Sequence, residues 1–355
     1  MLSNYFTNPK ARAASTKDLS RDEGEQWIAR AEARLAESPV AYKWNALIGG
    51  MVIELRTNNW HLYEFWVENW FPGPAKVRPH GRLYAVTGIP GEPPHARYVP
   101  SLHTAVFVNT DYYGQCKSWA LGIAADLLEE RHGVHSIHGG CTVVNGKGVV
   151  IIAPTGTGKS THCYNLLDVP GAKLHSDDWL YVDWEGGEAT ARISERKFYL
   201  RTDMAKNFPY VKPLLDRCLC ENVENNDYAA FGNSRAILDP TWIRGRGAIA
   251  AKAPVGAVIL LRRDKTSPAE VRLDADEAVK VLEEGRTTAQ MGSGGKPGEM
   301  IQEAFYNPYL LVLRREVQRR SFRRMLEGIP FAFLNTGVET VQQSQARIRK
   351  IIGVK

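Results

Sequence analysis

Cysteine is scarce in this 355-residue chain: Cys116, Cys141, Cys163, Cys218 and Cys220 are the full set. None of their spacings matches a zinc site, and an odd number speaks against a disulfide framework. A reducing, cytoplasmic setting is therefore the expectation. Long apolar runs are also missing. No stretch approaches the roughly 20 residues that a membrane-spanning helix needs. The start "MLSNYFTNPKARAASTKDLS" lacks the continuous apolar segment of a secretory signal. Neither sign of charge dominates: 45 lysines and arginines face 39 aspartates and glutamates, a net charge of +6. That excess suits anionic ligands such as nucleotides and is too small to argue for nucleic acid. No internal repeat occurs. What the chain does have is 44% hydrophobic residues and nine tryptophans, material for a sizeable globular core.

Periodicity supplies the elements. Residues 20–37 have Trp27, Ile28, Ala31 and Leu35 on one helical face, and Ser20 with Glu23 forms a capping box. "GGMVIELRTNN" reads as a strand and "WHLYEFWVENWF" as an aromatic helix, best explained as core or domain interface. Residues 71–100 are rich in proline and glycine and imply short strands and loops. "HTAVFVNT" is a strand, and "YYGQCKSWALGIAADLLEERHG" a helix closed by a glycine cap. "SIHGGCTVVNGKGVVIIAP" offers two strands joined by an Asn145-Gly146 hairpin turn. "AKLHSDDWLYVDW" reads as strand, loop and strand, and "PVGAVILLRR" as a buried strand. "DADEAVKVLEEG" and "YLLVLRREVQRRSFRRMLEG" read as helices, and "FAFLNTG" as a strand. The mixture predicts an α/β (mixed α+β) chain, a nucleotide-binding core behind a smaller α+β portion.

The sharpest motif is Ala153-Pro154-Thr155-Gly156-Thr157-Gly158-Lys159-Ser160-Thr161, lying between a predicted strand and a predicted helix. It has the layout of a phosphate-binding loop with alanine at the first glycine position. Gly156 and Gly158 permit backbone angles that let successive N–H groups face phosphate oxygens. Lys159 supplies a cation for the β and γ phosphates, and the Ser160 hydroxyl can ligate Mg²⁺. Downstream stand two adjacent carboxylates, Asp177 and Asp178. Beside such a loop, one can hold the metal and the other accept a proton from an incoming hydroxyl. An acidic turn is the structural alternative.

In order and spacing, "IHGGCTVVNGKGVVIIAPTGTGKSTHCYNLL…AKLHSDDW" resembles the HPr kinase pattern. "YYGQCKSWALGIAADLLEERHGVHSIHGG", "GNSRAILDP" and "FAFLNTGVETV" are similar to segments of ATP-type phosphoenolpyruvate carboxykinases. The resemblance to this HPr kinase/phosphorylase and carboxykinase superfamily runs from about residue 110 to the C-terminus. It implies a carboxykinase-like P-loop core over 106–355; the α+β region over 1–105, where the chain departs most from the family, is the expected source of acceptor recognition. It implies ATP with Mg²⁺, or Mn²⁺ in its place. Thr336 falls at a nucleotide contact and His138 at an active-site position near metal or acceptor. Asp177 matches a general base and Asp178 a metal ligand, and which of the two takes the proton stays open. Arg235 matches an arginine that contacts the transferring phosphoryl group, and Glu195 and Arg196 fall where the family places substrate-facing residues. HPr kinases are hexamers and carboxykinases often monomers, so a homo-oligomer stays open.

One departure counts against decarboxylation. Where carboxykinases carry a metal-binding lysine, this chain has Ser118, with Lys117 just before it. The expected activity is transfer of the γ-phosphoryl group to a hydroxyl, on a protein serine or a small molecule. A true carboxykinase and a non-catalytic ATP sensor are the alternatives. Residues 287–300, "TTAQMGSGGKPGEM", fit either a mobile lid or a plain connector. Arg315, Arg319 and Arg323 share a helical face, read as solvated rather than as a site for an acidic partner or RNA.

Overall fold

The structure, a computed structural model, describes residues 2–7, 13–228, 234–288, 296, 298–302 and 310–354. It is a mixed α/β fold with several sheets of mixed strand direction. Contacts divide the chain into two units. One comprises Met1–Gly133, Glu195–Asp239 and Tyr309–Leu313, and the other Val134–Ser194, Pro240–Pro308 and Arg314–Lys355. The boundary expected at residues 105/106 lies inside the first unit. The reason is the helix Tyr113–His132, which packs on strands Met51–Thr57, Gly81–Val86 and Thr104–Val108. That helix is buried almost all round its circumference, so it cannot be peeled from the sheet it covers.

The first unit is built on a seven-stranded sheet. Its order is Ala14–Thr16, His95–Val99, Thr104–Val108, Gly81–Val86, Met51–Thr57, Tyr42–Ile48 and Phe71–Pro72. Helix Arg21–Glu37 starts at the expected Ser20–Glu23 capping box. It lays Ala31 and Leu35, flanked by Trp27 and Ile28, on Tyr84, Val86, Val106 and Val108. Helices Tyr113–His132 and Trp60–Asn69 pack on one another and on the central strands. The aromatic helix buries Phe65, Trp66 and the cap residue Trp70, confirming a core role for that cluster. A second sheet of this unit joins Ser3–Tyr5, Leu219–Glu221, Arg235–Leu238 and Phe198–Arg201.

The second unit has one eight-stranded sheet. From Lys147–Ile152 it runs through His135–Val144, Trp179–Glu185, Glu188–Ile193 and Lys252–Arg262 to Phe331–Asn335 and Glu270–Val271. Lys147–Ile152 also pairs in parallel with Lys252–Arg262, so five strands close on themselves. Lys173–Ser176 adds to His135–Val144. The Asn145-Gly146 turn has positive φ at both residues, the requirement of a two-residue hairpin.

Two expectations change in detail. The helix read across "YLLVLRREVQRRSFRRMLEG" is shorter, Arg315–Glu327. Leu310 and Leu311 before it are buried and count with the first unit. Two of its arginines are paired, Arg319 with Glu283 and Glu316, and Arg323 with Asp276 and Glu327. Helix Ala275–Glu284 thus supplies acidic partners to the basic face. The glycine-rich stretch considered as a lid falls largely outside the described residues. No described helix is long and apolar enough to cross a membrane.

Phe107 is fully buried and meets Trp119 of helix Tyr113–His132 edge-on, with ring centroids 5.0 Å apart. Phe107→Ala is expected to destabilise the chain by about 3–5 kcal/mol, read from denaturant midpoints. A loss below ~1 kcal/mol would mean that this contact does not hold the helix to the sheet.

Candidate functional site

Strand Lys147–Ile152 ends in the buried Ala153, and the chain turns through the loop into helix Lys159–Asn165. Alanine fits this position because its side chain is wholly enclosed. The loop is braced from within: Thr157 Oγ1 donates to the Pro154 carbonyl at 2.7 Å. Thr336 Oγ1 donates to the Thr157 carbonyl at 2.8 Å, so this residue reaches the loop through its backbone. Gly156 and Gly158 have φ of 81° and 106°, conformations that side chains disfavour. Behind the loop, His162 Nδ1 lies 2.7 Å from Gln345 Oε1 of helix Val341–Ile351. Burial lowers the His162 pKa from its ordinary value.

The aspartate pair is placed by strand register. Lys173–Ser176 and Trp179–Glu185 both run antiparallel to His135–Val144, with Ser176 opposite Cys141 and Trp179 opposite His138. Asp177 and Asp178 therefore lie across from Gly140 and Gly139, and the Gly139 N–H donates to the Asp178 carbonyl at 3.0 Å. A side chain at residue 140 would meet Cys163 Sγ at 2.6 Å and the Asp177 carbonyl at 3.1 Å. The glycine lets this strand, the loop helix and the aspartates approach closely.

Three side chains converge there. Lys159 Nζ donates to Asp178 Oδ1 at 2.6 Å, His138 Nε2 lies 3.1 Å from the same oxygen, and Lys159 Nζ is 3.2 Å from His138 Nε2. One imidazole nitrogen can donate to the carboxylate or accept from the ammonium, so these two contacts exclude each other. The Asp178 side chain keeps 33% of its surface exposed, whereas Asp177 is buried at 7%. Cys163 is not a rival nucleophile. Burial first, and the nearby Asp177 charge second, push its thiol up to about 12.

The structure thus brings together the loop, His138, Lys159, Asp177, Asp178 and Thr336 in the second unit. Arg235, Glu195 and Arg196 belong to the first. Arg235 stands opposite Arg201 and Glu221 in its sheet. Glu195 is buried, with Lys117 Nζ at 3.1 Å and Asn69 Nδ2 at 2.9 Å. The Arg196 guanidinium donates to the Val67 and Glu68 carbonyls. Ser118 donates to the Gly114 carbonyl of its own helix.

Sequence reasoning did not assign the Gly139–Gly140 pair, although "HGG" signals a strand that something must approach closely. It also missed the Asn69–Glu195–Lys117 network and the His162–Gln345 brace, which join residues too distant in sequence for any spacing to announce. Among the described residues, no group of three or more His, Cys, Asp or Glu side chains forms a metal cage. Magnesium at phosphate sites takes one or two carboxylates and fills its shell with phosphate oxygens and water. The oxygen donors Ser160 and Asp178 are of the kind it needs.

Two outcomes test this geometry. Gly158→Ala is expected to cost about 1–3 kcal/mol in denaturant unfolding, because a Cβ disfavours the observed φ; an unchanged midpoint would mean that the loop relaxes freely. Lys117→Met leaves the buried Glu195 carboxylate without its cation and is expected to cost about 3–5 kcal/mol. Adding Glu195→Gln should recover most of that loss, and equal stability of the single and double variants would refute the pairing. No protein-family model matches the chain, and no significant match emerges among curated proteins.

Proposed function

We propose that the chain is an ATP-dependent phosphotransferase of the HPr kinase and carboxykinase type, acting on a hydroxyl of a protein serine or a small molecule. The observation that carries this reading is the Lys159–Asp178–His138 cluster beside the braced loop. A structural turn has no need of a buried histidine, a lysine and a carboxylate meeting at one point. A site that receives and releases phosphate charge needs cations that are held in place and can change partners.

On this reading, residues 153–161 hold the triphosphate and Thr336 braces the loop against the strand behind it. Lys159 leaves Asp178 for the β and γ phosphate oxygens. Ser160 and Asp178 would hold Mg²⁺ or Mn²⁺, which when bound offsets charge on the phosphates. The acceptor oxygen bonds to the γ phosphorus as the bond from that phosphorus to the β,γ-bridging oxygen breaks. The acceptor proton passes to one of the aspartates, and ADP leaves. Asp178 is the more open of the pair and the one joined to Lys159, which supports a role for it on the phosphoryl side. His138, within reach of both, would steady their charges as they exchange partners. Arg235 is assigned its phosphoryl contact by resemblance alone.

Incubation with γ-labelled ATP, Mg²⁺ and fractionated cell extract tests the proposal. Label should appear in one protein band or one small-molecule fraction. Asp178→Asn and Asp177→Asn should each lower turnover by about a hundredfold or more. The variant that removes the proton acceptor should also abolish the acid limb of the pH–rate profile. ATP binding without transfer in any fraction that depends on these aspartates would overturn the kinase reading and favour a nucleotide sensor. Transfer that requires oxaloacetate would make the chain a carboxykinase.

A further inference from the structure

The first unit carries a charged cleft that the phosphate loop does not involve. Helix Arg21–Glu37 covers only part of one face of the seven-stranded sheet, where Tyr84 and Val86 meet its apolar side. Across the next two strands the same face turns polar. Register aligns Tyr84 with Arg56 and Lys43, and Arg82 with Glu54 and Asn45. Cross-strand partners share a face, so these charged residues form two rows beyond the edge of the helix. Residues 75–79 complete the walls of a cleft of about 430 Å³.

Five cations line it, Lys43, Arg56, Lys76, Arg78 and Arg82, against two carboxylates, Glu32 and Glu54. The carboxylates act as anchors. Glu54 is buried in the floor and holds Lys43 at 2.9 Å and Arg82 at 3.4 Å. Glu32 pairs with Arg56 and accepts the Tyr84 hydroxyl at 2.6 Å. Lys76 and Arg78 have no ion-pair partner among the described residues, and both are exposed. Three cations are thus fixed by buried or half-buried partners, and two more stand over the opening with uncompensated charge.

We propose that this cleft binds a small polyanion, a phosphorylated or polycarboxylate metabolite, read by the three arginines. A guanidinium presents parallel N–H donors matched to phosphate and carboxylate oxygens. The volume suits a metabolite-sized ligand. The scarcity of apolar lining selects a charged ligand over a greasy one. A nucleic-acid surface is disfavoured because the basic residues are gathered into a cleft floored by two carboxylates, not spread along a continuous stripe. The site stands independently of the reading of the phosphate loop.

Calorimetric titration of the full chain with 3-phosphoglycerate and, separately, with citrate tests the proposal. Single-site binding of at least one is expected, and the tighter of the two identifies a phosphoryl or a carboxylate source. Lys76→Glu with Arg78→Glu should weaken that binding by about tenfold or more, since two charge-assisted contacts are reversed. Both residues are exposed, so the fold should persist, and Lys76→Arg should retain affinity. Lys159→Ala should leave it within about twofold, the loop contributing nothing. Three results would overturn the proposal: no binding of either anion at millimolar concentration, equal affinity in the charge-reversed chain, or loss confined to Lys159→Ala. An RNA oligonucleotide that binds through Lys76 and Arg78 in place of either small anion would make the face a nucleic-acid surface and overturn it equally.

Discussion

Strand His135–Val144 is hydrogen-bonded along both of its edges, and its register decides what can meet at the glycine-bearing loop 153–161. On one side runs Lys147–Ile152, which delivers the loop. On the other run Lys173–Ser176 and Trp179–Glu185, which deliver the two aspartates between them. Alternation along the strand puts His138, Gly140 and Thr142 on one face. All three serve the loop helix: His138 approaches Lys159, Gly140 leaves room for Cys163, and the Thr142 hydroxyl donates to the Cys163 carbonyl at 2.8 Å. A slip of one residue would turn Ile137, Gly139 and Cys141 toward the helix and His138 away from it. The cooperating groups are thus fixed by backbone ladders on both sides, a more rigid support than side-chain packing alone provides.

Much of this was legible in the chain, for identifiable reasons. The loop, its strand and its helix are local, and their residue types are demanded by φ and by the need for small side chains. The Asn145-Gly146 hairpin is equally local, and it fixes how His135–Val144 and Lys147–Ile152 pair. The meeting of His138 with Asp178 is different. Forty residues separate them, and only the register of two strands brings them together. No spacing rule carries that information, and resemblance alone anticipated it.

The domain boundary failed to show for a related reason. The edge expected near residue 105 comes from where the resemblance begins, yet helix Tyr113–His132 is buried on nearly every side and packs on the preceding sheet. Residues 195–239 return to the first unit after the chain has built half of the second. Their strands are only three or four residues long, too short for periodicity to reveal which sheet they extend. Glu195 and Arg196 show the consequence. By resemblance they are expected at the substrate, while their partners in the structure are Lys117, Asn69 and the end of helix Trp60–Asn69.

The two charged sites of the molecule use carboxylates in opposite ways. In the cleft of the first unit, Glu54 is nearly without exposure and bridges two cations, so separating them would strand a buried charge at a cost of several kcal/mol. Such a carboxylate holds its partners where they are. Asp178 keeps a third of its side chain open and shares one oxygen between Lys159 and His138. In surroundings of effective dielectric ~20, opposite charges 4 Å apart attract by about 4 kcal/mol, and lost hydration offsets much of that. On the proposed reading, an incoming phosphate carries more negative charge than one carboxylate and would take Lys159 over, while water can reach the aspartate left behind. Burial therefore separates the roles: an enclosed carboxylate fixes a cation in one geometry, and an open one lends its cation to a ligand.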